Sequence, residues 1–186
     1  MPKSGANTQQ AILQAANRIV IEQGVERLTL DQVAAEAGIS KGGLLYHFPT
    51  KQALIKGMIN QYLERFTEDF HQAAEKEDDS PGRWNRAYLV TTFADNQRTP
   101  RMSSGMLAAL ATDPTLLAPL QEQFQAWVGL LNQDGIDPTK AAIVRLVADG
   151  LWLVELFGLS APDEATKANI LQAMEEMVEQ SVKGGS

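Results

Sequence analysis

Apolar residues recur at intervals of three and four along most of the chain, which is the pattern of helices that bury one face. The first such run passes through Ile12, Ile19 and Val20 and stops at Gly24, a residue suited to a helix C-terminus. No stretch alternates apolar and polar residues for more than four positions. The sequence therefore predicts an all-α fold without an internal repeat.

The segment 28–51 predicts two short helices joined by a tight turn. Thr29 and Gln32 have the spacing of a capping box at the start of the first helix. Gly38 permits a left-handed turn after it, and Ser40 can cap the second helix. Two short helices joined by a glycine-containing turn predict a helix-turn-helix. A plain helical hairpin inside a bundle is the alternative.

A long fourth helix is expected from Thr50 to about residue 75. Five more helices follow, predicted over 83–97, 101–111, 113–134, 138–157 and 163–182. Asp113 and Asp137 each precede a proline, which places a capping carboxylate before a residue suited to the first helical turn. Pro119 predicts a kink or a late start in the helix assigned to 113–134.

Acidic and basic residues are unevenly distributed along the chain, whose net charge is −7. Residues 1–60 hold six basic and four acidic side chains, whereas the other ten basic and nineteen acidic residues fall in 61–186. The two parts therefore have net charges of +2 and −9. This asymmetry indicates separate functions or a simple regional variation in surface charge. We expect a first domain over 1–52 and a second over 53–186.

Several classes of function are not expected. The chain has no cysteine and only two histidines, so thiol chemistry and a multi-histidine metal centre are excluded. It shows no glycine-rich phosphate loop and no paired nucleophile and base, so neither an enzyme nor a cofactor is predicted. Three charged residues interrupt the most apolar stretch, 141–159, and the N-terminus lacks an apolar leader. We therefore expect a cytoplasmic protein without a membrane span.

The residues 29–54, and above all SKGGLLYHFPTKQAL, resemble the DNA-binding domain of TetR-family transcriptional regulators. The match extends over Thr8 to Leu54, with one difference, because Leu45 stands where many members have an aromatic residue. The resemblance implies a homodimer whose N-terminal domains bind double-stranded operator DNA. It also implies a C-terminal domain that binds an effector and dimerises through its last two helices, 138–157 and 163–182.

The second helix of the motif is the candidate recognition helix, whose first residues would face base edges in the major groove. Lys41 is expected at a phosphate or a guanine, and the bare Gly42–Gly43 edge allows close approach to DNA. The resemblance implies a phosphate contact from Tyr46, and further contacts of this kind would set the register. The predicted DNA-contacting residues are Thr29, Ser40, Lys41, Gly42, Gly43, Leu44, Tyr46, His47 and Lys51.

The second domain has the composition of an apolar effector site, because it contains all three tryptophans and five of the six methionines. Simple core packing is the alternative for each of these residues. Its negative charge favours a neutral or cationic apolar effector over an anionic one. The predicted effector-binding residues are Phe66, Phe70, Tyr88, Thr92, Met102, Met106, Phe124, Trp127, Trp152 and Glu155.

The helix predicted over 138–157 is apolar nearly all round. A surface helix buries one stripe, so two apolar faces indicate burial against the domain core and against a partner subunit. A helix at the centre of a monomer is the alternative. Taken together, the sequence predicts a homodimeric, ligand-responsive repressor released from a palindromic operator by a small, mostly apolar effector. The alternative is a helix-turn-helix activator or architectural protein without an effector.

Overall fold

The computed structural model describes residues 5–94 and 113–183. Helices form most of these residues, and no strand occurs among them, so the predicted all-α fold is confirmed. The eight α-helices within the described ranges are α1 (Gly5–Gln23), α2 (Leu30–Ala37), α3 (Lys41–His47), α4 (Lys51–Glu75), α5 (Arg83–Phe93), α6 (Ala118–Asn132), α7 (Pro138–Phe157) and α8 (Glu164–Lys183). None of the helices described is long and apolar enough to cross a membrane.

The chain divides into two compact units, and the division falls within helix α4. The first unit comprises residues 1–63 and 100–120, and the second comprises residues 64–99 and 121–186. This division reflects which residues pack together. The predicted boundary after residue 52 concerns which residues share a function, and it therefore stays a prediction. The helix predicted over 101–111 lies outside the described residues.

Side-chain caps fix where α2 and α3 of the first unit begin. The hydroxyl of Thr29 accepts a hydrogen bond from the amide of Gln32 at 3.2 Å, and the Gln32 side chain accepts one from that hydroxyl at 3.1 Å. The predicted cap is confirmed, although Gln32 meets the hydroxyl rather than the backbone of Thr29. Gly38 adopts a left-handed conformation with φ of 67°, and Ser40 Oγ accepts from the amide of Gly43 at 3.1 Å.

The core of the first unit fixes α3 from beneath. Helix α1 packs against α2, and α2 packs against α3. Leu44 and Phe48, on the inner side of α3, are 0% and 5% exposed. The backbone of α4 comes so close at Gly57 that a β-carbon there would lie 2.6 Å from the Phe48 ring. Small residues and buried anchors therefore hold the short helix in place.

Three of the predicted helix starts in the later part of the chain are confirmed. Asp137 Oδ1 accepts from the amides of Thr139 and Lys140, both at 3.0 Å, at the start of α7. Asp113 caps a 3-10 turn over Pro114–Leu117, and α6 then begins at Ala118. The late start expected from Pro119 is therefore confirmed. Asp163 Oδ1 accepts from the amide of Thr166 at 2.8 Å and caps α8. Hydrogen bonds from the side chain and the amide of Thr166 lower the pKa of Asp163.

One predicted boundary in the second unit is wrong. Helix α5 was expected to continue beyond residue 94, but it ends at Phe93, and Ala94 has an extended backbone with ψ of 135°. The amide of Ala94 still donates to Val90 O at 2.8 Å, which closes the last turn. No glycine or proline stands at this point, so the sequence lacks the usual stop signal.

Gly57→Ala is expected to destabilise the first unit. The added methyl would overlap the buried Phe48 ring, an overpacking cost of about 1–3 kcal/mol that exceeds the gain in helix propensity of about 1 kcal/mol. The matched control is Gly129→Ala in α6, where no described atom lies within 4 Å of the new β-carbon. Urea denaturation followed by circular dichroism should show a loss for the first variant and a gain for the second. Equal gains in both would contradict the close contact at Phe48.

Candidate nucleic-acid interface and effector site

Helix α3 presents one face to solvent and buries the other. Lys41 and Gly42 are exposed at its start, and Tyr46 is 85% exposed in its last turn. A β-carbon at Gly42 would meet no atom within 4 Å, whereas one at Gly43 would lie 3.3 Å from Ser40 Oγ. The N-terminal edge of α3 is therefore a bare strip of backbone that another surface can approach closely.

The structure buries Leu44, one of the predicted DNA-contacting residues. Its side chain is 0% exposed, and its amide donates to Ser40 O at 3.0 Å within the helix. Leu44 therefore anchors α3 from beneath and has no exposed group with which to make the predicted contact. The other eight predicted residues are at least partly exposed.

Lys41 already has an acidic partner. Its Nζ lies 2.9 Å from Asp31 Oδ1, and the two side chains are 59% and 69% exposed. Exposed pairs of this kind contribute only about 0–1 kcal/mol, because water competes for both charges. A DNA phosphate or a guanine can therefore displace Asp31, and the pair holds Lys41 beside the bare edge of α3 until then.

Lys51 and Tyr46 each have a contact with a neighbouring part of the first unit. Lys51 Nζ donates to Val25 O at 2.9 Å, which fixes the ammonium close to the turn before α2. An ammonium has three N–H groups, so this bond leaves donors for a phosphate. Tyr46 makes an edge contact with His47, with ring centroids 5.2 Å apart. The Thr29 hydroxyl already donates to and accepts from Gln32 in the cap of α2. A phosphate at this helix start would therefore have to bind the backbone and not the hydroxyl.

An aromatic cluster lies inside the second unit. Phe66 lies 4.7 Å from Trp127 and 5.7 Å from Tyr88 between ring centroids, and Phe124 lies 5.1 Å from Trp127. Phe70 joins the cluster at 5.6 Å from Tyr88. The structure therefore brings together five of the predicted effector-binding residues on α4, α5 and α6. We call these five residues the aromatic cluster.

Polar groups border the aromatic cluster. The Tyr88 hydroxyl donates to Asp149 Oδ1 at 2.6 Å, and Arg145 donates to the other oxygen of Asp149 at 2.8 Å. Trp127 Nε1 donates to Thr67 Oγ1 at 3.2 Å. The sequence did not single out Thr67, because a threonine on a helix gives no local signal of what it will meet.

Trp152 and Glu155, two further predicted effector-binding residues, are not part of the aromatic cluster. Trp152 is half-buried on α7 and makes none of the described ring contacts. The Glu155 carboxylate pairs with Lys167, which also binds Glu164 at 2.8 Å. These bonds, first to Glu155 and then to Glu164, raise the pKa of Lys167, and Glu155 therefore already has a cationic partner within the second unit. Met102 and Met106 lie outside the described residues. Trp84, which the sequence did not select, lies 5.3 Å from Phe70.

Helix α7 has two apolar faces, as predicted. One face is buried within the second unit through Ala141, Val144, Ala148 and Leu151. The other exposes large side chains at intervals that follow the helix repeat, and these residues form the apolar stripe: Ile143 (40% exposed), Leu146 (59%), Leu153 (42%) and Phe157 (46%). An exposed stripe of this kind on a helix indicates a surface for a protein partner.

These features define a helix-turn-helix protein with a separate helical unit built around an aromatic interior. Residues 12–58 match the model of the tetR family of bacterial regulatory proteins. Residues 82–179 match the model of the tetracyclin repressor-like C-terminal domain. The second match alone covers more than half of the chain. The chain belongs to the TetR family of transcriptional regulators, and the resemblance seen in the sequence is confirmed.

Individual relatives agree with this assignment. The chain is 26% identical over 130 residues to the transcriptional regulator EthR of Mycolicibacterium smegmatis, which covers 70% of this chain and 57% of EthR. It is 32% identical over 100 residues to the regulator TtgR of Pseudomonas putida, covering 52% of this chain and 47% of TtgR. The matched region thus spans about half the length of these relatives.

Solved structures share the fold over nearly the whole chain. The multidrug binding protein EbrR complexed with ethidium is 26% identical, with a TM-score of 0.65 and coverage of 90% of this chain and 98% of EbrR. A TetR transcription regulator from Haloarcula marismortui has a TM-score of 0.72 at 19% identity, with coverage of 95% and 99%. The second likeness concerns the fold alone.

Proposed function

We propose that this protein is a ligand-responsive transcriptional repressor that binds a palindromic operator as a homodimer. In this proposal a small, mostly apolar effector releases it from DNA. The observation that carries the proposal is the bare, exposed edge of α3, which is capped by Ser40 and begins with Lys41, together with the exposed Tyr46 in the last turn of the same helix. A helix that served only to pack in a bundle would have no use for an exposed glycine pair beside cationic and phenolic groups.

In this proposal the first unit divides DNA contacts into two kinds. Tyr46, His47 and Lys51 bind phosphates and fix the register, because charge and hydroxyl contacts to the backbone do not distinguish sequences. Lys41 and the Gly42–Gly43 edge face the bases, where a lysine can reach guanine and bare backbone can approach a thymine methyl. The positive balance of residues 1–60 favours this surface over the acidic remainder.

The aromatic cluster is the proposed effector site. Its rings offer flat apolar faces and attract cations through their π-systems, which agrees with a neutral or cationic effector. The structure of EbrR with ethidium supports this choice, since that relative binds a planar aromatic cation. The same rings pack against one another at 4.7–6.4 Å, as core residues do, and this favours the alternative of a regulator without an effector.

Helix α4 is the proposed link between effector and DNA. It is one continuous helix from Lys51, close after α3 in the chain, to Glu75, and it carries Phe66 and Phe70 of the aromatic cluster. An effector that parts these rings would shift α4 and favour a conformer that is wrong for the operator. A coupling of about 1–3 kcal/mol between the two sites would weaken DNA binding about 5- to 150-fold.

Dimerisation through α7 and α8 completes the proposal. The apolar stripe on α7 would pack against the same stripe of a second copy, as a two-fold interface requires. Two recognition helices related in this way read the two halves of a palindrome. Lys167 pairs with Glu155 near the end of α7 and with Glu164 at the start of α8, which reduces the negative charge at this end of the two helices.

Changes on the DNA face should separate backbone contacts from base contacts. Tyr46→Ala should weaken binding to every duplex roughly three- to tenfold through the loss of one hydrogen bond. Lys51→Met should do the same and lower the salt slope by about 1 for each bound protomer. Gly42→Ala should instead change the preferred sequence, because its new methyl projects into open space on the exposed edge.

These effects are measured by fluorescence anisotropy on a site selected from random DNA by the wild-type protein, over a range of salt concentrations. Lys76→Met is the matched control, since Lys76 is an exposed cation in the second unit. It should leave both affinity and salt slope unchanged. Failure of the wild-type protein to enrich any sequence at moderate salt would contradict the DNA-binding proposal.

Leu146→Glu is expected to produce monomers. Leu146 is 59% exposed, so a charge there costs the single chain little but would be buried without a partner in a dimer. Ile21→Glu in α1 is the matched control, because Ile21 is a 69% exposed apolar residue outside α7. Sedimentation velocity should show a monomer for the first variant and a dimer for the second. A wild-type monomer at tens of micromolar would contradict the interface.

The effector proposal predicts a charge preference among planar aromatic compounds. All three tryptophans lie in residues 64–186, so their fluorescence reports on the second unit. Ethidium and malachite green should quench it at lower concentration than the anionic anilinonaphthalene sulfonate. Malachite green should also release the protein from its selected DNA site. Tighter binding of the anionic compound would contradict the charge argument, and quenching without release would contradict the regulatory role.

A further inference from the structure

Two buried oxygen atoms on α5 have no hydrogen-bond partner among the described residues. They are Oδ1 of Asn85 and Oγ1 of Thr92. Folded proteins pair the great majority of their buried polar atoms, so each exception needs an explanation. Two exceptions on one short helix of the second unit therefore call for a common cause.

The orientation of Asn85 is fixed by its other contacts. Its Nδ2 donates to Asp134 Oδ2 at 2.9 Å and to Leu131 O at 3.1 Å, so both hydrogens of the amide are used. Turning the amide over would bring Oδ1 against these two oxygens, which repel it. The Asn85 side chain is 0% exposed, and its Oδ1 is therefore an acceptor held away from α6 within the protein interior.

Thr92 differs from its neighbour Thr91 in the same helix. Thr91 Oγ1 donates to Ala87 O at 2.8 Å, which is the usual way in which a helical threonine satisfies its hydroxyl. Thr92 does not make the corresponding bond to the preceding turn, and its buried Oγ1 stays unpaired among the described residues. The helix geometry would permit that bond, so the hydroxyl of Thr92 is turned elsewhere.

Both oxygens lie on the face of α5 that carries Tyr88. Asn85 precedes Tyr88 by three residues and Thr92 follows it by four, which places all three on one face of a helix. Seven residues along a helix span about 10.5 Å. Tyr88 belongs to the aromatic cluster, so an unpaired acceptor lies to each side of the rings along this face.

We propose that the effector is a planar aromatic molecule with N–H or O–H donors, and that Asn85 Oδ1 and Thr92 Oγ1 accept its hydrogen bonds. The proposal rests on the proposed function, because it assigns the polar contacts of the same effector site. The rings supply contact area that tolerates many apolar ligands. The two oxygens supply selectivity, since a bound molecule without donors leaves them unpaired.

A stability comparison tests the state of the Thr92 hydroxyl without any ligand. Thr92→Val keeps the shape of the side chain and removes the unpaired oxygen, so its melting temperature should rise by about 2–4 °C, as followed by tryptophan fluorescence. Thr91→Val is the matched control, and it should melt at or below the wild-type temperature because it loses a formed hydrogen bond. A lower melting temperature for Thr92→Val than for the wild type would overturn the proposal.

A pair of dyes tests the preference for hydrogen-bond donors directly. Proflavine and acridine orange are planar cations with the same ring system, but acridine orange has N-methyl groups where proflavine has N–H donors. The wild-type protein should bind proflavine about tenfold more tightly, measured by tryptophan quenching without DNA. Thr92→Val should reduce that preference to about threefold, because Asn85 Oδ1 still accepts, and Thr91→Val should keep it in full, which separates hydrogen bonding from the size of the methyl groups.

The outcomes separate this inference from the proposed function. Equal affinity for the two dyes in the wild type, or an unchanged preference in Thr92→Val, would overturn the proposed donor preference while leaving an effector site in place. A lack of binding by either dye would instead contradict the proposed effector class. The melting comparison would then still decide whether Thr92 holds an unpaired hydroxyl.

Discussion

The burial of Leu44 and Phe48 beneath α3 is the interaction on which the candidate nucleic-acid interface depends. A helix of seven residues is far too short to be stable alone, so its position comes from packing. Both anchors are almost completely buried, and α4 approaches Phe48 closely enough at Gly57 to exclude a methyl group. With its inner face fixed in this way, α3 must present Lys41, Gly42 and Tyr46 to solvent.

The second unit combines a packed apolar interior with two buried polar atoms that find no partner among the residues the structure describes. The rings of the aromatic cluster stabilise the unit as any core does, through burial and edge contacts. Asn85 and Thr92 do not serve stability in the same way, because their oxygens lose water and gain no described partner. Natural proteins keep such locally unfavourable groups where a function requires them. The second unit is therefore expected to exchange some stability for ligand selectivity.

Much of the fold could be predicted because its signals are local. Thr29, Ser40 and Asp137 cap the helices that follow them, and a cap requires only a few neighbouring residues. The end of α5 at Phe93 could not be predicted, since neither glycine nor proline marks it. Helical periodicity likewise identified α7 as apolar on two faces, although it could not say which residues would be exposed.

The candidate sites were predicted less completely, because their details depend on contacts between distant parts of the chain. Leu44 was assigned to DNA from its place in the motif, but its burial depends on the packing of several helices. Glu155 was assigned to an effector, but the structure pairs it with Lys167 of the next helix. The bond between Asn85 and Asp134 joins residues 49 positions apart and leaves no trace in either local sequence.

Selection of binding sites from random duplex DNA tests the central claim most directly. The full-length protein at moderate salt is expected to enrich an inverted repeat whose half-sites lie about 10–10.5 base pairs apart, or a multiple of that spacing, because two recognition helices of a two-fold dimer face one side of the duplex. Enrichment of no sequence would contradict the assignment of α3 as a recognition helix. Enrichment of a single, unpaired half-site would contradict the dimer.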